Sequence, residues 1–163
     1  MTRLVTVAAL AATSAALVIA SPAGATAAAP GTFGPYGYGG IKLGMTAKQA
    51  KATGKIVLKM PGYCAGWDYK VHPNPKDEIS LYISKKRGVA VIFGWNGVRT
   101  PKGVGVGSSL SQVKKAYPSV KKEESGWYAT VPGNPKAYYY FGVNQRNKVE
   151  QFALGLKTQD CVN

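Results

Sequence analysis

The 163 residues carry 21 lysines and arginines against seven aspartates and glutamates, a formal net charge of +14. One histidine, with two cysteines expected to be oxidised to a disulfide, does not supply the three or four ligands of a His/Cys metal site, and no metal or other cofactor is expected. The length and an apolar content of 45% suffice for one domain with its own core.

Arg3 opens the chain with one positive charge, and Leu4 to Ala20 follow without a charged residue. Ser21 and Pro22 break that run, and small residues stand at Ala23 and Ala25, or at Ala25 and Ala27. A basic start, an apolar stretch and an A-x-A site in this order read as a cleavable export signal over residues 1–25. The stretch is too rich in Ala and Thr for a stable membrane span, and no later stretch is apolar enough for one. The signal would remove one of the 21 cations and none of the acids, leaving a mature charge of +13. The expected location is extracellular or at the cell wall.

Residues 26–40 are rich in Gly and Pro and are read as a flexible arm bearing Phe33, Tyr36 and Tyr38, whose rings are expected either to pack against the domain surface or to meet a partner. Residues 41–163 form the expected single domain, made of two repeats over 41–100 and 101–163. The repeat shows first in Leu43 to Lys51, which matches Val106 to Lys114 in register: glycine, a hydroxyl residue, glutamine and lysine recur 63 positions later. Thr46 with Gln49, and Ser109 with Gln112, each spell the hydroxyl-x-x-Gln box that caps a helix start. The first helix is expected to end near Thr53-Gly54 and the second near Tyr117, before Pro118.

Three strand-like runs follow each helix. They are Tyr63 to Lys70, Ile79 to Ser84 and Val89 to Trp95, then Gly126 to Val131, Lys136 to Val143 and Val149 to Leu156. The expected fold class is therefore α+β: two tandem helix-plus-three-strand units forming an antiparallel sheet, with helices packed on one face. Cys64 and Cys161 fall in different units, and in an exported chain the expected outcome is a disulfide between them, with two free thiols or an intermolecular bridge as the alternative.

The opening Leu43-Gly44-Met45-Thr46 with Gln49 behind it, and the second unit after it, resemble the β-lactamase inhibitory protein family of actinomycetes. The related small outer-membrane assembly lipoproteins share that opening. The resemblance covers Ile41 to about Lys157. It implies two units joined into one concave sheet that clasps a target enzyme. This sequence departs from that family in three respects. The inhibitors carry a disulfide within each unit, the second opening here reads Val-Gly-Ser-Ser, and no Asp or Phe matches the residues they insert into their target.

Three function classes then compete. For a hydrolase, His72 would need a serine and either Asp68 or Asp77, but no nucleophile-elbow sequence is present. Glu123-Glu124 lie in a lysine-flanked turn, and the glycines from Gly103 to Gly107 lack the Lys-Ser/Thr of a phosphate loop. The expectation is no enzyme. For a polyanion binder, Lys48, Lys51, Lys114 and Lys115 offer an anion-contacting face, although lysines outnumber arginines and planar phosphate readout favours the latter. For a protein-binding module, the chain supplies Tyr82, Trp95, Trp127, Tyr138 and Tyr140 as candidate anchors, because Trp and Tyr bury much area with few rotors. The primary expectation is a secreted, monomeric, non-catalytic protein-binding or inhibitor-like module with an aromatic-rich sheet face. A basic cell-wall or polyanion-associated protein is the alternative, and specific nucleic-acid binding is not expected.

Overall fold

Extended backbone sends successive side chains to opposite sides, so Leu81 and Ile83 can be buried on one side of a strand while Tyr82 stays half-exposed on the other. That alternation builds the protein's main sheet. The structure, a computed structural model, describes residues 31–162; the expected export signal lies outside the described residues. A two-stranded ribbon comes first, β1 (Gly37–Tyr38) with β2 (Ile41–Lys42), then α1 (Ala47–Ala52). The first half continues through β3 (Ile56–Met60), β4 (Cys64–Tyr69), β5 (Leu81–Ser84) and β6 (Gly88–Gly94). The second half repeats the order with α2 (Leu110–Ala116), β7 (Lys121–Glu123), β8 (Gly126–Val131), β9 (Asn134–Val143) and β10 (Val149–Leu156).

The eight later strands form one antiparallel sheet in the order β3-β4-β5-β6-β10-β9-β8-β7. The last strand of each half therefore lies at the centre, with Ala153 opposite Phe93 and Leu154 opposite Ile92. Six strands coincide with the runs read as strands. The two that were not read, β3 and β7, are the outermost pair.

The expected α+β class needs correcting. The protein is mostly β, and four strands rather than three follow each helix. The helices have six and seven residues, under two turns each, and bury one side chain apiece, Ala50 and Val113. Such short elements cannot make a layer. Most of the cover over the packed side of the sheet comes from elsewhere: Phe33, Ile41, Val98, Val104 and Tyr117 join Leu81, Ile92, Tyr139, Phe141, Phe152 and Leu154 in the main core.

The helix starts are as the sequence spells them. Thr46 and Ser109 both accept from the backbone N–H of the glutamine three residues on, and both glutamine side chains reach back, completing two capping boxes. Gly44 and Gly107 turn the chain into these caps with φ of +80° and +85°, a region that favours glycine.

Residues 31–40 do not behave as the expected flexible arm. Phe33 is fully buried, with its ring centroid 4.7 Å from that of Phe152, and its amide donates to Arg99 O. Cys64 and Cys161 form the disulfide, with Cα atoms 5.5 Å apart across 97 residues of sequence. It ties the start of β4 to the segment beyond β10. Among the described residues, no helix is long and apolar enough to cross a membrane.

Candidate functional site: an aromatic sheet face and the cleft at its end

The side of the sheet opposite the main core carries five half-buried aromatic residues: Tyr82 on β5, Phe93 on β6, Tyr128 on β8, and Tyr138 and Tyr140 on β9. Strand register arranges them in two adjacent rows. One runs Phe93, Ala153, Tyr140, Tyr128, Lys121; the other runs Tyr82, Val91, Gly155, Tyr138, Thr130. Each row crosses five strands, roughly 19 Å at the usual strand spacing. The Tyr128 ring centroid lies 5.4 Å from that of Tyr138 and 5.3 Å from that of Tyr140, and the Tyr82 centroid lies 6.0 Å from that of Phe93.

Glycine lets these rings lie against the backbone. A Cβ on Gly155 would sit 2.5 Å from Cζ of Tyr138, its cross-strand partner, and one on Gly126 would sit 2.6 Å from Cε2 of Tyr140. The Tyr140 hydroxyl donates to Ser125 O at 2.8 Å, and the Tyr128 hydroxyl lies 2.6 Å from Ser125 Oγ. Burial, with Tyr128 beside it, pushes the Tyr138 hydroxyl up to about 12, so it stays neutral.

The chain beyond β10 folds back over this face. Cys161 and Val162 pack on Ala90, Val91 and Ala153, with Phe93 and Tyr140 alongside. Gln159 holds the turn: its Oε1 accepts from Cys161 N and Val162 N, and its Nε2 donates to Val162 O. Tyr63 adds a hydroxyl bond to Asp160 Oδ2 at 2.9 Å. The disulfide thus fixes a short strap against the aromatic rows.

At one end of the same face lies a cleft of about 510 Å³. Tyr82, Phe93 and Gln151 line it from the sheet, Trp95 and Val106 from beyond the strand ends, and His72, Asn74, Glu78 and Ser80 from the connection between β4 and β5; Glu150 completes the rim. His72 stacks on Trp95 with ring centroids 4.3 Å apart and planes 7° from parallel.

That β4–β5 connection is pinned from within. The Lys59 ammonium donates to Asp68 Oδ2 at 3.0 Å and to the carbonyls of Asn74, Pro75 and Glu78. Asp68, 3% exposed, accepts further bonds from Asn74 N, Asn74 Nδ2 and Ser80 N. Burial alone would raise the Asp68 carboxyl, but the Asn74 hydrogen bonds, together with the bond and charge of Lys59, outweigh it and hold the group below its ordinary range. Lys59–Asp68 is the only ion pair among the described residues.

Of the five anchors named from the sequence, Tyr82, Tyr138 and Tyr140 share the open face. Trp127 does not. It stands opposite Phe141, packs against the main core, and has Lys114 Nζ 4.7 Å from its ring. Trp95 lies past the end of β6 against Tyr38 and Tyr69 and reaches the cleft, not the rows. Phe93 and Tyr128 were missed. Lys48 and Lys51 are exposed on α1, and Lys114 and Lys115 on α2. Asp68 is committed to the Lys59 network, and Asp77 is exposed. Comparison with protein families, with curated proteins and with solved structures found no match.

Proposed function

We propose that the protein is an exported binding module that holds a partner protein on the open face of its sheet. The observation that carries this reading is the pair of half-buried aromatic rows, on a surface shaped by strand pairing, close glycine contacts and a disulfide-tied strap. Rigid Tyr and Phe side chains contribute contact area at little ordering cost, which is the usual source of energy in tight interfaces. The disulfide fits an oxidising compartment, in keeping with the export signal read at residues 1–25. The resemblance carried by Leu43 to Gln49 suggests an enzyme as the partner.

The test is capture of the partner from the producer's own extracellular proteins, at low salt and in about 1 M salt, where the Debye length is about 3 Å. Tyr138→Ala/Tyr140→Ala should lose the captured protein at both salt levels, and Lys114→Ala/Lys115→Ala should keep it at high salt. Capture unchanged by the tyrosine pair would overturn the reading. The polyanion alternative has its own support in the exposed lysines of both helices and the pI of about 9.9. It expects binding that disappears with added salt and follows the lysines. A hydrolase would show turnover that His72→Ala abolishes.

A further inference from the structure

The cleft at the end of the aromatic face differs in charge from the rest of the molecule. The chain has a net charge of +14, yet no lysine or arginine lines this cleft, while two of its seven acids, Glu78 and Glu150, do. Other hollows carry the ordinary basic surface: one has Lys121 and Lys157, another Lys114 and Arg146. Among the described residues, the two carboxylates make no ion pair and no side-chain hydrogen bond. Tyr82, Phe93 and Trp95 add aromatic walls, and the faces of such rings attract cations.

From this local reversal of charge we infer that the cleft receives a cationic side chain, the guanidinium of an arginine or the ammonium of a lysine, presented by the partner protein. The inference rests on the binding-module reading and adds the chemistry of the partner's contact. The site is preformed. One wall is the β4–β5 connection, which carries His72, Asn74 and Glu78 and is fixed by Lys59 and Asp68. Because this wall is already ordered, the incoming group meets little ordering cost. The surrounding positive field repels free cations only at long range and is screened beyond about 8 Å at 0.15 M salt, so the two carboxylates govern a cation that has entered the cleft.

The experiment is an NMR titration of the disulfide-intact protein with N-acetyl-arginine amide, compared with N-acetyl-citrulline amide, a neutral group of nearly the same shape. Arginine should shift the Trp95 indole N–H and the amides of Gly94, Asn96 and Gln151 in a saturable way, at least five-fold more tightly than citrulline. Glu78→Gln/Glu150→Gln should remove that preference, whereas Glu123→Gln/Glu124→Gln should leave it intact. Both lining glutamates are exposed, and an unchanged melting temperature would show that their variant is folded; the citrulline comparison decides on the native protein alone if it is not. Equal binding of the two probes, shifts confined to other regions, or a preference that survives loss of both carboxylates would overturn the inference. No partner is needed for this titration, so its failure leaves the open-face reading standing. Conversely, capture that persists in Tyr138→Ala/Tyr140→Ala would sink the open-face reading while leaving an arginine-selective cleft in place.

Discussion

Strand β9 contains three tyrosines and a phenylalanine in succession, and the sheet treats them in opposite ways. Tyr139 and Phe141 are fully buried among Phe152, Tyr117 and each other; Tyr138 and Tyr140 are half-exposed beside Tyr128. Nothing in the residue types separates them. The difference comes from what lies over each side of the sheet: among the described residues, the segment from residue 31, the loop through Val98 and Val104 and the two short helices cover one, while the short strap beyond β10 is what crosses the other. One side therefore carries most of the fold's stabilisation, and the other is left with aromatic area that folding uses only in part.

Truncation should expose this contrast most strongly at β9. Phe141→Ala should destabilise by about 3–5 kcal/mol, as large-to-small core changes do, against about 1 kcal/mol for the half-buried Tyr140→Ala. Urea unfolding of the two variants measures the gap, and equal losses would erase the distinction between the faces. Next in size is the strap. Cys64→Ser/Cys161→Ser should cost about 2–5 kcal/mol, since the closed loop is long. In a folded sample below the melting temperature, the same change should raise hydrogen exchange at Cys161 and Val162 while the β6–β10 pairing stays protected.

The pinned connection should respond by about 2–3 kcal/mol. Lys59→Met leaves the buried Asp68 carboxylate and three carbonyls without their cation, and the exchange of Asn74 and Glu78 should quicken before that of the central strands. Asp68 gives the pH signature. Its folded pKa is lowered, so its contribution is complete above the unfolded carboxyl value of about 3.9 and is lost as the pH falls through the lower folded value. Asp68→Asn should therefore flatten the acid limb of stability below about pH 4, a comparison made by urea midpoints from pH 6 to pH 2. The smallest effects belong to the caps: Thr46→Ala and Ser109→Ala should each cost about 1 kcal/mol and resemble one another, because the two boxes have the same geometry.

Local signals were legible in the sequence. The caps depend on residues three apart, the six inner strands on alternation and turn residues, and the disulfide on there being only two cysteines. What depended on distant pairing was not. Lys121–Glu123 has no strand-like residue and is extended because it pairs with β8; Ile56–Met60 is a short apolar run broken by Lys59, with no alternation to mark it, and Val57, Leu58 and Met60 remain substantially exposed on that edge. The same limit explains the site. Trp127 was grouped with the open-face tyrosines because its side is set by register with Phe141, and Trp95 because a strand read through it stops one residue short. Phe93 and Tyr128 emerge only once the rows are aligned. The arm read at residues 26–40 looked structureless from its Gly and Pro, yet Phe33 has a place in the core that no local pattern reveals.

The most direct test of a partner-binding open face is a footprint of the captured complex by hydroxyl-radical oxidation of aromatic side chains. Tyr36 and Tyr63, 55% and 50% exposed and outside the rows, serve as internal references. The expected result is strong protection of Tyr82, Phe93, Tyr128, Tyr138 and Tyr140 with unchanged labelling of the two references. Protection of Tyr36 or Tyr63 with the rows still reactive would contradict it.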